Sequence, residues 1–133
     1  MTRLFIDTGA LLAMMLAGDR HHSQAAQFVR DQPHARFLLT NLVLAEVVTR
    51  LRARAGARTA AGAGRKLLES SRYEVLFADE PLINGGLARL EQFQDKRLSL
   101  TDCVSFEVMD RFRLPAAFAF DRDFRDCGYR MLP

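Results

Sequence analysis

The stretch "RLFIDTGALLAM", residues 3–14, carries three apolar residues into an aspartate, a threonine and a glycine before a second apolar run begins. A short apolar run followed at once by a helix-compatible pattern predicts a buried strand over 3–6 that hands the chain to a helix over 8–17. Asp7 stands at the seam between the two. A carboxylate near buried elements is costly unless it is paired, hydrogen-bonded or bound to a cation, so its placement needs a physical reason.

The same alternation continues along the chain. "RFLLT" (36–40), "YEVLF" (73–77), "AAFAF" (116–120) and "YRMLP" (129–133) are further strand candidates, rich in aromatic and aliphatic residues. The runs at 3–6, 36–40 and 116–120 lack polar alternation, which is how strands covered on both faces read. Between the runs, helices are predicted over 23–31, 42–55, 58–71, 80–94 and 101–112. Strands separated by helices imply βαβ connections, hence a central, mainly parallel sheet in a three-layer α/β/α sandwich.

Local chemistry marks several helix starts. Asn41 is placed to cap "LVLAEVV", whose Leu44, Val47, Val48 and Leu51 recur at helical spacing. Asp79, followed by Glu80 and Pro81, marks another start. Gly85 and Gly86 each cost about 1 kcal/mol relative to alanine inside a helix, so the middle of 80–94 is the least certain helical segment. The biased stretch "RLRARAGARTAAGAGRK", residues 50–66, reads as a helix end, a loop and a new helix start. Arg50, Arg54 and Arg58 recur in it at four-residue spacing, as either a solvated corner or a cationic face toward phosphates.

Composition bounds the rest. A chain of 133 residues with 49% hydrophobic and 26% charged residues suits one soluble domain over 1–133. No apolar run reaches the ~20 residues that span a bilayer, and Asp7 interrupts the one N-terminal apolar region, so a cytoplasmic protein without a membrane contact is expected. Cys103 and Cys127 form no CxxC pair, and with only His21, His22 and His34 there is no zinc-finger spacing. Free thiols in a reducing compartment are the expectation. The net charge is +3, and all basic residues except Lys66 and Lys96 are arginines. That balance is compatible with nucleic acid without establishing it, because a GC-rich genome gives the same bias.

Four acids lie beside apolar runs. Asp7 follows "LFI" and Asp121 follows "AFAF", so both are expected at the carboxyl edge of a parallel sheet, where ligand crevices form. Glu46 lies within "NLVLAEVVTRL" and Asp102 within "LSLTDCVSFEVM". Each acid alone has a purely structural explanation. Asp7 suits a helix start, Glu46 can pair with Arg50 one turn on, Asp102 can complete a capping box with Ser99, and Asp121 can close a turn. Carboxylates gathered in one crevice must instead protonate or bind a cation. An oxygen-only donor set favours Mg²⁺ or Mn²⁺ over zinc, and such a site suits an in-line phosphoryl displacement.

With these residues in place, the chain resembles the PIN-domain family, and within it the VapC-type toxins of bacterial toxin–antitoxin pairs. The stretches that carry the resemblance are "LFIDTGALLAM", "LTNLVLAEVVTRL", "RLSLTDCVSFEVM" and "AFAFDRDFRDCGYRML", in the family's order and across the whole chain. The resemblance implies a single PIN-like nuclease domain over 1–133 and an endoribonuclease dependent on Mg²⁺ or Mn²⁺. It implies that Asp7, Glu46, Asp102 and Asp121 are the metal-binding and catalytic acids, with Thr8 in support. Asp123 is an extra acid that either assists or replaces Asp121. Arg50, Arg52, Arg54 and Arg58 are weaker candidates for gripping RNA. The toxin reading further implies a small VapB-like antitoxin partner and a homodimer.

Three alternatives compete. A PIN nuclease of RNA processing would share every motif and differ only in its genetic neighbourhood. A haloacid-dehalogenase-like phosphatase also ends a strand in aspartate, but its usual D-x-D-x-T run is absent from "DTGAL". A non-catalytic RNA- or protein-binding module has no need to keep four costly acids. The sequence names neither the RNA that would be cut, nor whether one metal or two would bind.

Overall fold

The structure is a computed structural model and describes residues 2–133. Among these residues the element order is β1 (Arg3–Ile6), α1 (Thr8–Met15), α2 (His22–Asp31), β2 (Arg36–Thr40), α3 (Asn41–Ala55), α4 (Ala57–Glu69), β3 (Tyr73–Leu76), α5 (Glu80–Gln92), α6 (Leu100–Arg111), β4 (Ala117–Phe118), α7 (Asp123–Asp126) and β5 (Met131–Leu132). All five predicted strands are present, although the last two are shortened to two residues each. The one-turn α7 was not anticipated, because four residues are too few to show a helical period.

The strands form one sheet in the order β3-β2-β1-β4-β5, and every neighbouring pair is parallel. The chain thus winds outward from β1 through β2 to β3, crosses back, and continues from β4 to β5. β1 and β4 flank the point where the direction of winding reverses, the place where an open α/β sheet forms a crevice at its carboxyl edge. Right-handed crossovers put the helices of the two windings on opposite faces. In agreement, α1 packs on α2 and α3, and α3 on α4, while α5 packs on α6. The α/β architecture expected from the alternating pattern is therefore the one observed.

Burial follows position in the sheet. β1, β2 and β4 are central, and their residues beyond Arg3 and Arg36 are buried. β3 and β5 are the edges, and none of their residues is fully buried. Phe5, Phe37, Phe106, Phe118 and Phe124 are the bulkiest buried side chains. Phe124, on the short α7, packs against Phe5 at 6.3 Å and edge-on to Phe106 at 5.0 Å between ring centroids. That anchor fixes the segment following β4 against both β1 and α6.

The helix starts differ from expectation at one point. Asn41 does not cap α3; Thr40, the last strand residue, accepts from the Val43 N–H at 3.2 Å with its hydroxyl. Thr40 keeps the extended backbone of the strand (ψ 165°), which is the conformation an N-cap requires. The Asn41 side chain is released to accept from the Ala78 N–H at 2.8 Å, tying the segment after β3 to the start of α3. Asp79 caps α5 as expected, accepting from the Leu82 N–H. The arginine stretch breaks at Gly56, whose φ of +89° favours glycine, so Arg50 and Arg54 lie on α3 and Arg58 on α4. The three do not form one helical face.

Helix α5 runs unbroken through Gly85 and Gly86, and the reason is its neighbour. A Cβ on Gly86 would lie 2.5 Å from Val104 Cγ2 and 3.2 Å from the Val104 backbone nitrogen, so the glycine lets α5 lie close against α6. The same interface is locked by Arg89, which donates to Glu107 at 2.8 Å, to Asp110 at 2.5 Å and to the Tyr129 hydroxyl at 2.9 Å. Helix α6 carries Asp102, so this interface sets where that acid sits.

Gly86→Ala is expected to destabilise the fold by about 1–3 kcal/mol through overpacking, outweighing its gain of roughly 1 kcal/mol in helix propensity. Gly62→Ala, in α4 with open space where the methyl would go, is expected to stabilise by about 0.5–1 kcal/mol. Urea unfolding of the two variants checks the contrast.

Candidate active site

Four segments deliver acids to one place. Asp7 is the residue after β1, and its N–H donates to the Phe118 carbonyl at 3.1 Å, which holds the end of β1 beside β4. Asp121 follows the end of β4 by three residues. Glu46 is in the second turn of α3, and Asp102 is the third residue of α6. All four line a single cavity of about 400 Å³ at the carboxyl edge of the sheet, together with Thr8, Gly9, Arg50, Arg97 and Ser99.

The structural role that each helix or turn acid suggested in sequence is also present. Asp102 and Ser99 form the capping box: Asp102 Oδ2 accepts from the Ser99 N–H at 3.1 Å, and Ser99 Oγ from the Asp102 N–H at 3.0 Å. Glu46 Oε1 lies 2.8 Å from Arg50 Nη2. Asp121 Oδ1 accepts from the Asp123 N–H at 2.9 Å in a turn. In each case one carboxylate oxygen is tethered by its own segment. The tether fixes the rotamer and leaves the second oxygen for another partner.

Carboxylate oxygens of Asp102, Asp121 and Asp123 lie within 4.8 Å of one another. This is a tighter group than the four acids as a set, and it includes Asp123, which lies at the start of α7. The sequence left Asp123 as either an assistant to Asp121 or its replacement; the fold brings both to Asp102, because the turn and α7 fold the two aspartates to the same side. Asp7 and Glu46 face the same cavity from outside that trio.

Electrostatics marks Asp7 as the strained member. It is only 4% exposed, and its pKa is raised from 3.8 to about 7. Burial is the main cause, Asp102, Asp121 and Glu46 add repulsion, and the Thr8 backbone N–H opposes it. Burial also raises Asp102, against the two hydrogen bonds from Ser99, and raises Asp123, with Asp121 and Asp102 adding to it. Thr8 Oγ, fully buried beside Asp7, has no hydrogen-bond partner. An unpartnered buried hydroxyl, a buried acid whose charged form is disfavoured and a donor set made only of oxygens fit a hard divalent cation with its waters. The cavity-lining residues include no histidine or cysteine that would favour zinc.

Two features here were not singled out in the sequence. Arg97 lines the cavity from the loop between α5 and α6, where no periodicity draws notice to it. His21 stacks on Phe120 with ring centroids 4.3 Å apart and planes 2° from parallel, so the turn between α1 and α2 is held against the residue preceding Asp121. Of the arginines proposed to grip RNA, only Arg50 reaches this cavity; Arg54 borders the adjoining depression, and Arg58 lines a separate apolar groove.

Comparison with known proteins identifies the family. The PIN domain family model matches residues 4–128. The chain is 33% identical over 127 residues to the 23S rRNA-specific endonuclease VapC20 of Mycobacterium tuberculosis, covering 95% of each chain. The crystal structure of that VapC20, a sarcin–ricin loop cleaving toxin, superposes with a TM-score of 0.88 over 95% of both chains at 29% identity. VapBC2 from Rickettsia felis, bound to a promoter DNA fragment, superposes with a TM-score of 0.72 over 98% of both chains at 11% identity, a likeness of fold.

The burial of Asp7 makes a claim about stability. Between 3.8 and about 7 the folded state holds more protons than the unfolded chain, so in the absence of metal stability falls as pH rises through that window. The upper bound on the loss is roughly 4 kcal/mol. Asp7→Asn is therefore expected to melt several degrees above the wild type at pH 8 in chelator, with the gap closing toward pH 4. Thermal melts of both proteins across that range, with and without Mg²⁺, check it; Mg²⁺ should raise the melting temperature of the wild type more than that of Asp7→Asn.

Proposed function

From the premise that this chain belongs to the PIN-domain family, we propose how its acidic cavity works and what it cuts. The chain is an endoribonuclease of the VapC type, the toxin of a toxin–antitoxin pair. The observation that carries the reading is the convergence of Asp7, Glu46, Asp102 and Asp121 from four segments on one cavity at the carboxyl edge of the sheet.

In this reading Asp7, Glu46, Asp102 and Asp121, with Asp123 close to Asp102 and Asp121, would hold Mg²⁺ or Mn²⁺. A divalent ion held there supplies Lewis-acid activation of water and neutralises charge that develops on the phosphate and the leaving oxygen. The chain itself does the rest. The capping box and the turn at Asp121 keep Asp102 and Asp121 in fixed rotamers, so no reorganisation is needed when substrate arrives. The Arg50 ion pair holds Glu46 toward the cavity. The Thr8 hydroxyl is placed to hydrogen-bond a water or a carboxylate of the loaded site. A cation bound there would offset the burial and the repulsion from neighbouring acids that disfavour the charged form of Asp7.

The substrate is large-subunit ribosomal RNA, most economically the sarcin–ricin loop. Support for this lies in the 33% identity to a 23S rRNA-specific endonuclease over 95% of both chains, and in the sarcin–ricin activity of the superposed VapC20. The partner is a small VapB-like antitoxin. An apolar groove of about 510 Å³ between α1 and the α3–α4 hairpin, lined by Met14, Leu16, Leu51 and Leu67 and edged by Arg58 and Lys66, supports a protein partner. A homodimer is part of the same reading.

Expressed without its antitoxin, the protein should arrest growth and leave new ends in 23S ribosomal RNA, mapped in the same cells; intact 23S RNA in arrested cells would reject the substrate. Asp7→Asn should lose at least about 10²-fold in cleavage while keeping its fold, and chelation should stop the wild type until Mg²⁺ or Mn²⁺ is restored. Comparing Asp121→Asn with Asp123→Asn by metal titration tells which of the two matters more. Equal losses are expected, because both lie within reach of Asp102.

A further inference from the structure

We propose that Arg97 binds the non-bridging oxygens of the RNA phosphate presented to the acidic cavity, an assignment that rests on the nuclease reading above. An acidic pocket repels a polyanion, so a phosphate entering it needs a cation other than the metal to offset that repulsion. Two arginines line the cavity. Arg50 is already committed, with its guanidinium 2.8 Å from Glu46. Among the described residues no carboxylate lies within 4.0 Å of the Arg97 guanidinium, although acids surround the cavity it lines. Its charge is uncompensated by any close partner, and its side chain is exposed to solvent at the cavity lip.

The backbone at this position is held on both sides. On the N-terminal side, the Lys96 N–H closes a turn onto the Phe93 carbonyl at 3.0 Å. On the C-terminal side, Leu98 is buried in the core and Ser99 caps α6 through its box with Asp102. Arg97 is thus an exposed residue between fixed points, two positions from the residue that orients Asp102. A guanidinium there, planar and always charged, matches two phosphate oxygens at once, which an ammonium group does not. Arg97 and the acids would then meet the same phosphate from different sides, and the position of Arg97 relative to Asp102 would be set by the capping box of Ser99 and Asp102 that follows it.

A phosphate contact is independent of base sequence, so it can be measured with a synthetic RNA hairpin of mixed sequence. Binding is compared in the full chain carrying Asp7→Asn, with Arg97 intact, Arg97→Gln or Arg97→Lys, over a salt series. Arg97→Gln is expected to weaken binding about tenfold at low salt and to reduce the slope of log K against log salt by about one. Arg97→Lys should keep the slope and fall between the two in affinity. With Asp7 restored, kcat/KM for the Arg97→Gln protein should drop at least about tenfold, the Arg97→Lys protein lying between. Melting temperatures should be unchanged.

The assignment is overturned by unchanged affinity and salt slope in Arg97→Gln, or by a lowered melting temperature with no recovery in Arg97→Lys, which would mark a structural role. It is likewise overturned if the wild type cuts RNA while the Asp7→Asn protein binds none. In each of those cases the nuclease reading stands, since wild-type cleavage is measured separately. A wild type that cuts no RNA at all removes that reading and this assignment together.

Discussion

Burial of the Asp7 carboxylate among other carboxylates is the constraint around which this fold is arranged. Two of the three central strands, β1 and β4, end side by side where the sheet reverses its winding. The hydrogen bond from the Asp7 N–H to the Phe118 carbonyl locks those ends together, and Phe124 then pins the following segment onto Phe5 and Phe106. These are ordinary packing interactions, but their combined effect is to hold one fully buried carboxylate, Asp7, beside other acids that are only partly buried or exposed. The raised pKa of Asp7 is the physical record of that confinement, and the hydrophobic core around it supplies the stability that offsets the strain.

Much of the fold was legible in sequence for a local reason. Central strands lose polar alternation and edge strands keep some of it, so 3–6, 36–40 and 116–120 could be told apart from 73–77 and 129–133 before any pairing was known. Capping chemistry was legible at Asp79 and Ser99 and misread at Asn41. There, two adjacent residues could both cap, and the extended backbone inherited from β2 decided for Thr40. The acids at 7, 46, 102 and 121 were legible as misplaced charges. Arg97 and the role of Asp123 were not, because a loop has no period and a four-residue helix is too short to announce which way its side chains face. What decides both is tertiary: the buried Leu98 that holds the loop, and the Phe124 anchor that turns Asp123 toward Asp102. The glycine pair at 85 and 86 belongs with these. As local sequence it argued against a helix, and only the closeness of α6 explains its presence.

The structural and functional explanations of each acid turn out to be complementary rather than rival. A capping box, an ion pair one turn apart and an Asx-type turn are the commonest uses of Asp and Glu in any fold, and all three are present here. Each uses one oxygen of a carboxylate that has two. A carboxylate tethered through one oxygen loses little further rotamer freedom when the other binds a cation or a water. Loosening the segment that carries the tether while keeping the acid would therefore separate the two roles. Ser99→Ala keeps the backbone N–H that holds Asp102 Oδ2 but removes the hydroxyl that accepts from the Asp102 N–H, and it loosens the start of the helix that the loop carrying Arg97 leads into. Loss of that serine should thus disturb the geometry between Asp102 and Arg97 more than it disturbs the charge of either, which makes the cap part of the site as well as part of the helix.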